Sequence, residues 1–227
     1  MLTEEDKARP YHHGNVKEAL IDVGMKLIES NEVELLSLRR LAQEIGVTPS
    51  AVYIDFSDNN ALMLAIKIRI YDEFNKFFEN RSSNSGDPEQ DLLELCLAYC
   101  HFSQEYPSRF HFLFSSILPK EWSTPEMVEI ACRTLVRTHK LVLKIYDKYK
   151  APCSEENVVN TTLLIWTQLH AVVALKKSEI IKATVNYQDW PEACSLVSQE
   201  QVEELIRNHL TMAVNTILNT QHAESHH

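Results

Sequence analysis

Glycine is scarce in this chain. Its 227 residues include only four, Gly14, Gly24, Gly46 and Gly86, too far apart for a phosphate-cradling loop or a strained nucleophile elbow, which disfavours nucleotide-binding α/β folds. No segment alternates apolar and polar residues for long enough to read as a strand. Positive charge is in deficit, with 22 Lys and Arg against 32 Asp and Glu. The acidic start, Met1-Leu2-Thr3-Glu4-Glu5-Asp6-Lys7, has no apolar core behind it, so no secretory signal is expected. The longest uncharged run, residues 158–175, approaches membrane-spanning length but carries Asn160, Thr161, Thr162, Thr167, Gln168 and His170, and is expected to be a buried helix of a soluble protein, with no membrane partner. Five scattered cysteines, Cys96, Cys100, Cys132, Cys153 and Cys194, are an odd number and make no disulfide framework. Free thiols in a reducing compartment fit them, and a cytoplasmic location is expected. No nucleophile stands at a recognisable spacing from a base, and no Cys-x-x-Cys pair marks a metal site. The expectation is neither an enzyme nor a cofactor-binding protein.

What is present is helical punctuation. Hydrophobic residues make up 44% and charged residues 24% of the chain, an ordinary globular balance. Pro49, Pro88, Pro107, Pro125 and Pro152 each precede or open an apolar-periodic segment, as prolines do in helix first turns. The spacing predicts an all-α fold of about nine helices, near 15–30, 37–45, 48–55, 58–77, 89–105, 107–117, 125–149, 155–177 and 199–219. Asn80-Arg81-Ser82-Ser83-Asn84-Ser85-Gly86-Asp87-Pro88 is the clearest loop. The resulting layout is an N-terminal domain over 1–56, a connecting helix over 57–81, a larger domain over 82–220 and a tail over 221–227.

The chemistry concentrates in residues 37–56. Leu41, Ala42, Ile45, Val47 and Val52 are apolar where two short crossed helices must pack, Ala42 is small where they approach, and Gly46 suits the turn between them. Thr48 stands as a cap and Pro49 at the first helical position, leaving Thr48, Pro49, Ser50, Ala51 and Tyr53 on the exposed first turns. A helix of this kind enters a major groove N-terminus first, where short hydroxyls reach base edges or phosphates.

Residues 12–66 resemble the N-terminal domain of the TetR/AcrR family, through Ser37-Leu38-Arg39, Ile45-Gly46-Val47-Thr48, Val52-Tyr53-Ile54-Asp55-Phe56 and Ala61-Leu62. Tyr11-His12-His13-Gly14-Asn15, Tyr106-Pro107-Ser108-Arg109-Phe110 and Trp166-Thr167-Gln168-Leu169-His170 are similar to the subgroup whose C-terminal domain is named for a Trp-His-Gly signature. The resemblance implies a ligand-responsive homodimeric repressor on palindromic operator DNA. It places DNA contacts at Ser37, Arg39, Thr48, Pro49, Ser50, Ala51, Tyr53 and Ile54. It implies a pocket for a small, partly apolar effector among Tyr99, Phe102, Phe110, Phe114, Trp122, His139, Tyr146, Trp166 and His170. The last two helices of such proteins pair across a twofold axis, which assigns Ile165, Leu169, Val172, Leu210, Val214 and Ile217 to the dimer interface.

Two departures stand against that pattern. The position after the recognition-helix Tyr usually carries His, Arg or an aromatic residue, and a Lys usually follows the Phe; here these are Ile54 and Asn59. Residues 1–56 hold six Lys and Arg against ten Asp and Glu, a net −4, which forgoes phosphate attraction. Lys7, Arg9, His12 and His13 offer a cationic arm. A TetR-like ligand-binding or interaction protein without operator binding is the alternative.

Overall fold

A computed structural model describes residues 16–114 and 123–224, with side chains as far as Leu218. Among the described residues there are ten α-helices and no strand. They are α1 (Val16–Glu29), α2 (Leu38–Glu44), α3 (Pro49–Val52), α4 (Asn59–Asn80), α5 (Pro88–Glu105), α6 (Pro107–Phe114), α7 (Pro125–Tyr149), α8 (Glu155–Ser178), α9 (Ile180–Gln188) and α10 (Gln199–Glu224).

Local chemistry sets most of the boundaries. Ser37 caps α2 by accepting the Arg40 N–H at 3.3 Å, and Gly46, at φ +73°, adopts the left-handed conformation that lets the chain turn into α3. Thr48 precedes Pro49 at the first position of α3. Asp58 accepts the Ala61 N–H at the start of α4, while Asp87 with Pro88 opens α5 and Ser154 opens α8. The expected all-α architecture is present. One helix is additional: Glu179, at φ +52°, breaks the run at the end of α8, and the chain re-enters helical geometry as α9.

The chain divides into two compact units, Met1–Asp72 with Pro107–Met127, and Glu73–Tyr106 with Val128–His227. The boundary falls inside α4.

In the first unit α1 packs against α2, and Ala19, Leu20, Ile21, Met25 and Ile28 of α1 are buried, as are Leu38, Leu41, Val52, Phe56, Leu62 and Ile66. Gly24 permits close approach, since a Cβ there would lie 2.5 Å from Ile66 Cδ1. α6 is pinned at both ends. Ser108 donates to Asn31 Oδ1 at 3.1 Å and Arg109 pairs with Glu29. At the other end the Lys67 ammonium donates to the Phe112 and Leu113 carbonyls at 2.9 and 3.3 Å, and Phe114 meets Tyr71 edge to face. Lys67 is only 1% exposed, and burial lowers its pKa to about 8.

The second unit is built on α5, α7, α8, α10 and the latter part of α4. Phe74, Phe77, Phe78 and Phe102 form an aromatic cluster with centroids 4.6 to 6.4 Å apart. A buried polar lock ties α4 to α7: Asn75 Nδ2 donates to the Ile130 carbonyl at 2.9 Å, and Thr134 Oγ1 donates to Asn75 Oδ1 at 2.8 Å. Lys148 clasps Asp87 and Glu89 at the surface. Cys96 and Cys100 are buried, and burial raises both thiols, Cys100 to about 12, so neither is a thiolate at neutral pH.

Candidate nucleic-acid interface and effector site

α2, the Gly46 turn and α3 form a helix-turn-helix. Val47 N–H donates back to the Ala42 carbonyl at 2.9 Å, fixing the turn, and Val52 and Phe56 are sealed inside. Thr48, Pro49, Ser50, Tyr53 and Ile54 are exposed, and Ala51 is half-buried. Tyr53 is 53% and Ile54 85% exposed, and the Thr48 and Ser50 hydroxyls lie 3.0 Å apart. Arg39 is exposed on α2, next to Arg40. Ser37 is half-buried, and its hydroxyl caps α2. The arm residues Lys7, Arg9, His12 and His13 lie outside the described residues.

The second unit gathers part of the expected pocket. Tyr99 is fully buried, with its ring 5.3 Å from that of Trp166 and 5.2 Å from that of His170. His170 Nδ1 lies 2.9 Å from the Trp166 carbonyl, and since a carbonyl only accepts, Nδ1 carries the proton. Along the same flank of α8, His139 Nδ1 meets Thr162 Oγ1 at 3.4 Å. There an apolar groove of about 200 Å³ opens between α7 and α8, lined by Leu135, Val136, His139, Val159, Thr162 and Leu163. Tyr146 is buried, its hydroxyl 3.2 Å from Thr161 Oγ1. Phe102 belongs to the aromatic cluster with Phe74 and Phe77. Phe110 and Phe114 stack on each other at 4.8 Å within the first unit. Trp122 lies outside the described residues. Leu135 and Val136 of α7 were not among the expected pocket residues; helical spacing marks faces but does not say which faces meet.

The stripe expected to pair two chains is occupied within one. Ile165, Leu169, Val172 and Ile217 are 2 to 3% exposed, because α8 packs against α5 and α10 of its own chain; Leu210 and Val214 are half-buried. The run over 158–175 is accordingly buried on one side only. Its outer face shows Leu163, Leu164, Thr167, Ala171, Ala174 and Leu175 to solvent, and no Asp, Glu, Lys or Arg occurs from Asn157 to Leu175.

Similar arrangements exist among solved structures. A protein of unknown function from Rhodococcus sp. RHA1 superposes with a TM-score of 0.65 at 19% identity, covering 93% of this chain and all of that one. A protein from Shewanella sp. PV-4 described as a tetR family transcription regulator matches with a TM-score of 0.61 at 14% identity, covering 88% and 97%. SmeT in complex with triclosan matches at 0.55 and 15%, covering 88% and 90%. The chain has the TetR fold. No family model and no curated protein matches its sequence.

Within this TetR-fold chain the two sequence departures take physical form. Asn59 Oδ1 accepts the Leu38 N–H at 2.8 Å, so its amide joins the first turn of α2 to that of α4 and supplies no charge. Ile54 stands bare in solvent. Residues 41–66 contain no Lys or Arg at all, so neither α3 nor the start of α4 brings a cation to a phosphate.

Proposed function

We propose that the chain is a cytoplasmic, homodimeric, sequence-specific DNA-binding regulator, a repressor that leaves a palindromic operator when a small, partly apolar effector binds its second unit. The observation that carries this reading is the helix-turn-helix, whose buried side is sealed by Val52 and Phe56 while Thr48, Pro49, Ser50 and Tyr53 stand free to enter a major groove. Tyr53 and Thr48 hold α3 on phosphates, and Ser50, Pro49 and Ala51 face bases. Arg39 supplies cationic contact from α2 and Ser37 sets the α2 N-terminus.

The effector reading rests on the groove beside His139 and on the adjoining Tyr99, Trp166 and His170, an apolar surface with few polar groups. The complex of SmeT with triclosan makes aromatic phenols a reasonable first panel. The proposed transmission runs from the effector through α6 and α4 to the separation of the two recognition helices.

The second reading, a ligand-binding protein without operator binding, is favoured by one specific feature, the commitment of Asn59 to α2 where the pattern expects a phosphate-binding cation. Selection from a random duplex library separates the two. Enrichment of an inverted repeat, with release by a member of the phenol panel, supports the regulator. Retention of no duplex over background at low salt refutes it.

A further inference from the structure

The turn that follows α3 continues in helical geometry, with Ile54, Asp55 and Phe56 N–H groups donating to the carbonyls of Ala51, Val52 and Val52 at 3.4, 3.2 and 3.1 Å. Two of these bonds span three residues and one spans four, a tight turn in which each residue advances the side-chain direction by about 100 to 120°. Val52 and Phe56, 0% and 3% exposed, define the inward direction. Ile54 then points almost straight away from the core, and Ser50, one turn earlier, is exposed as well. These two side chains, four residues apart, are the ridge of the element that a groove would receive.

The chemistry available on that ridge is narrow. Guanine is read in the major groove chiefly by a cationic fork on O6 and N7, and adenine by an amide on N6 and N7. Residues 41–66 carry no Lys or Arg, and the amide oxygen of Asn59 is bound to the Leu38 N–H. What remains outward is the Thr48 and Ser50 hydroxyls, the Tyr53 ring, the Ile54 sec-butyl group and the Asp55 carboxylate, an acceptor that phosphates repel. A sec-butyl group makes no hydrogen bond, and the only apolar group a base pair displays in the major groove is the thymine 5-methyl.

We propose that Ile54 is a specificity-determining residue that reads thymine by covering its 5-methyl group, so that the bound half-site carries a required thymine opposite the end of α3. The proposal rests on the DNA-binding reading above. In it the residue that departs from the family pattern exchanges charge-based anchoring for a contact that depends on base identity. Water released from both apolar surfaces supplies the driving force, and burial of one methyl group corresponds to roughly a three- to fivefold change in affinity.

The test is a double-mutant cycle. A duplex enriched from a random library by the wild-type protein is remade with each thymine in turn replaced by deoxyuridine, which removes only the 5-methyl group. Affinities are then measured for wild type and Ile54→Ala by fluorescence anisotropy at fixed salt. Ile54 is exposed, so the variant keeps its fold, which circular dichroism checks. The expected result is one position per half-site where deoxyuridine weakens wild type about three- to fivefold and leaves Ile54→Ala unchanged. Equal penalties in the two proteins at every thymine overturn the role of Ile54 while the DNA-binding reading stands. If the wild-type chain enriches no duplex at all, both fall together.

Discussion

Lys67 shows how one residue links chemistry to conformation. Its ammonium holds the last carbonyls of α6 from within α4, a charge-assisted cap at the negative end of a helix. Burial lowers the pKa of this amine from 10.5 to about 8. Below pH 8 both the folded and the unfolded chain carry the proton, and the desolvation cost is fully present. Between pH 8 and 10.5 the unfolded chain holds a proton that the folded chain has released, so this group makes stability rise with pH, by up to about 3 kcal/mol across the window. Urea unfolding of wild type and Lys67→Met at pH 7.5 and 9.5 measures it: the wild type gains relative to the variant as pH rises, and a pH-independent difference excludes the effect. Tyr53 and Ser50 make a second residue-level contrast. Tyr53→Ala should weaken all duplexes alike, by about 1 kcal/mol or more, whereas Ser50→Ala should chiefly reorder preference among sequences. Parallel binding curves for both variants over several duplexes would discriminate, and a uniform loss in Ser50→Ala would remove it from base reading.

Among the elements, α4 carries a buried polar lock in each unit, Lys67 in the first and Asn75 in the second. Asn75→Ala leaves the buried Thr134 hydroxyl without its acceptor and removes the second bond to the Ile130 carbonyl, so unfolding should become easier by about 1 to 2 kcal/mol. Asn75→Asp keeps the acceptor for Thr134 but cannot donate to Ile130 without a proton, so denaturation at neutral pH should reveal a loss there too. A variant as stable as wild type would show that water takes over these bonds. The helix-turn-helix was legible in the sequence because its determinants are local: the Ser37 cap, the Gly46 turn and Pro49 act within a few residues of themselves. The pocket was legible only in part. Helical spacing placed Trp166 and His170 on one flank of α8, and Tyr99 does meet them, but spacing carries no information on tertiary partners. Phe110 and Phe114 therefore proved to stack within the first unit. α9 was not legible as a separate helix because Glu179, at φ +52°, breaks the run from α8 with neither glycine nor proline at that junction, and Pro191 marks only its far end.

For the whole molecule the same limitation applies to the apolar face of α8. The residues that the resemblance assigned to a partner, Ile165, Leu169 and Val172, are buried where α8 packs against α5 and α10 of the same chain. If the chain pairs as proposed, the exposed face of α8 through Leu164, Ala171 and Leu175 is where a second copy would fit as an isologous surface. Leu164→Lys should then give a soluble, folded monomer. Leu169→Lys, which places a charge in a filled core, should give insoluble or unfolded protein. Sedimentation of Leu164→Lys as a dimer would rule out this face.

If two copies pair through that uncharged outer face of α8, the pairing has a consequence for gene dosage. When a protein works only as a pair and its copies are mostly apart, the amount of the pair follows the square of the amount made, so halving synthesis cuts the active form about fourfold and doubling it gives about a fourfold increase. A cell using such a regulator would find its promoter insensitive to small leaks of the protein and responsive over a narrow range of expression. The sharpness would come from a run of nineteen residues, Asn157 to Leu175, that holds no Asp, Glu, Lys or Arg.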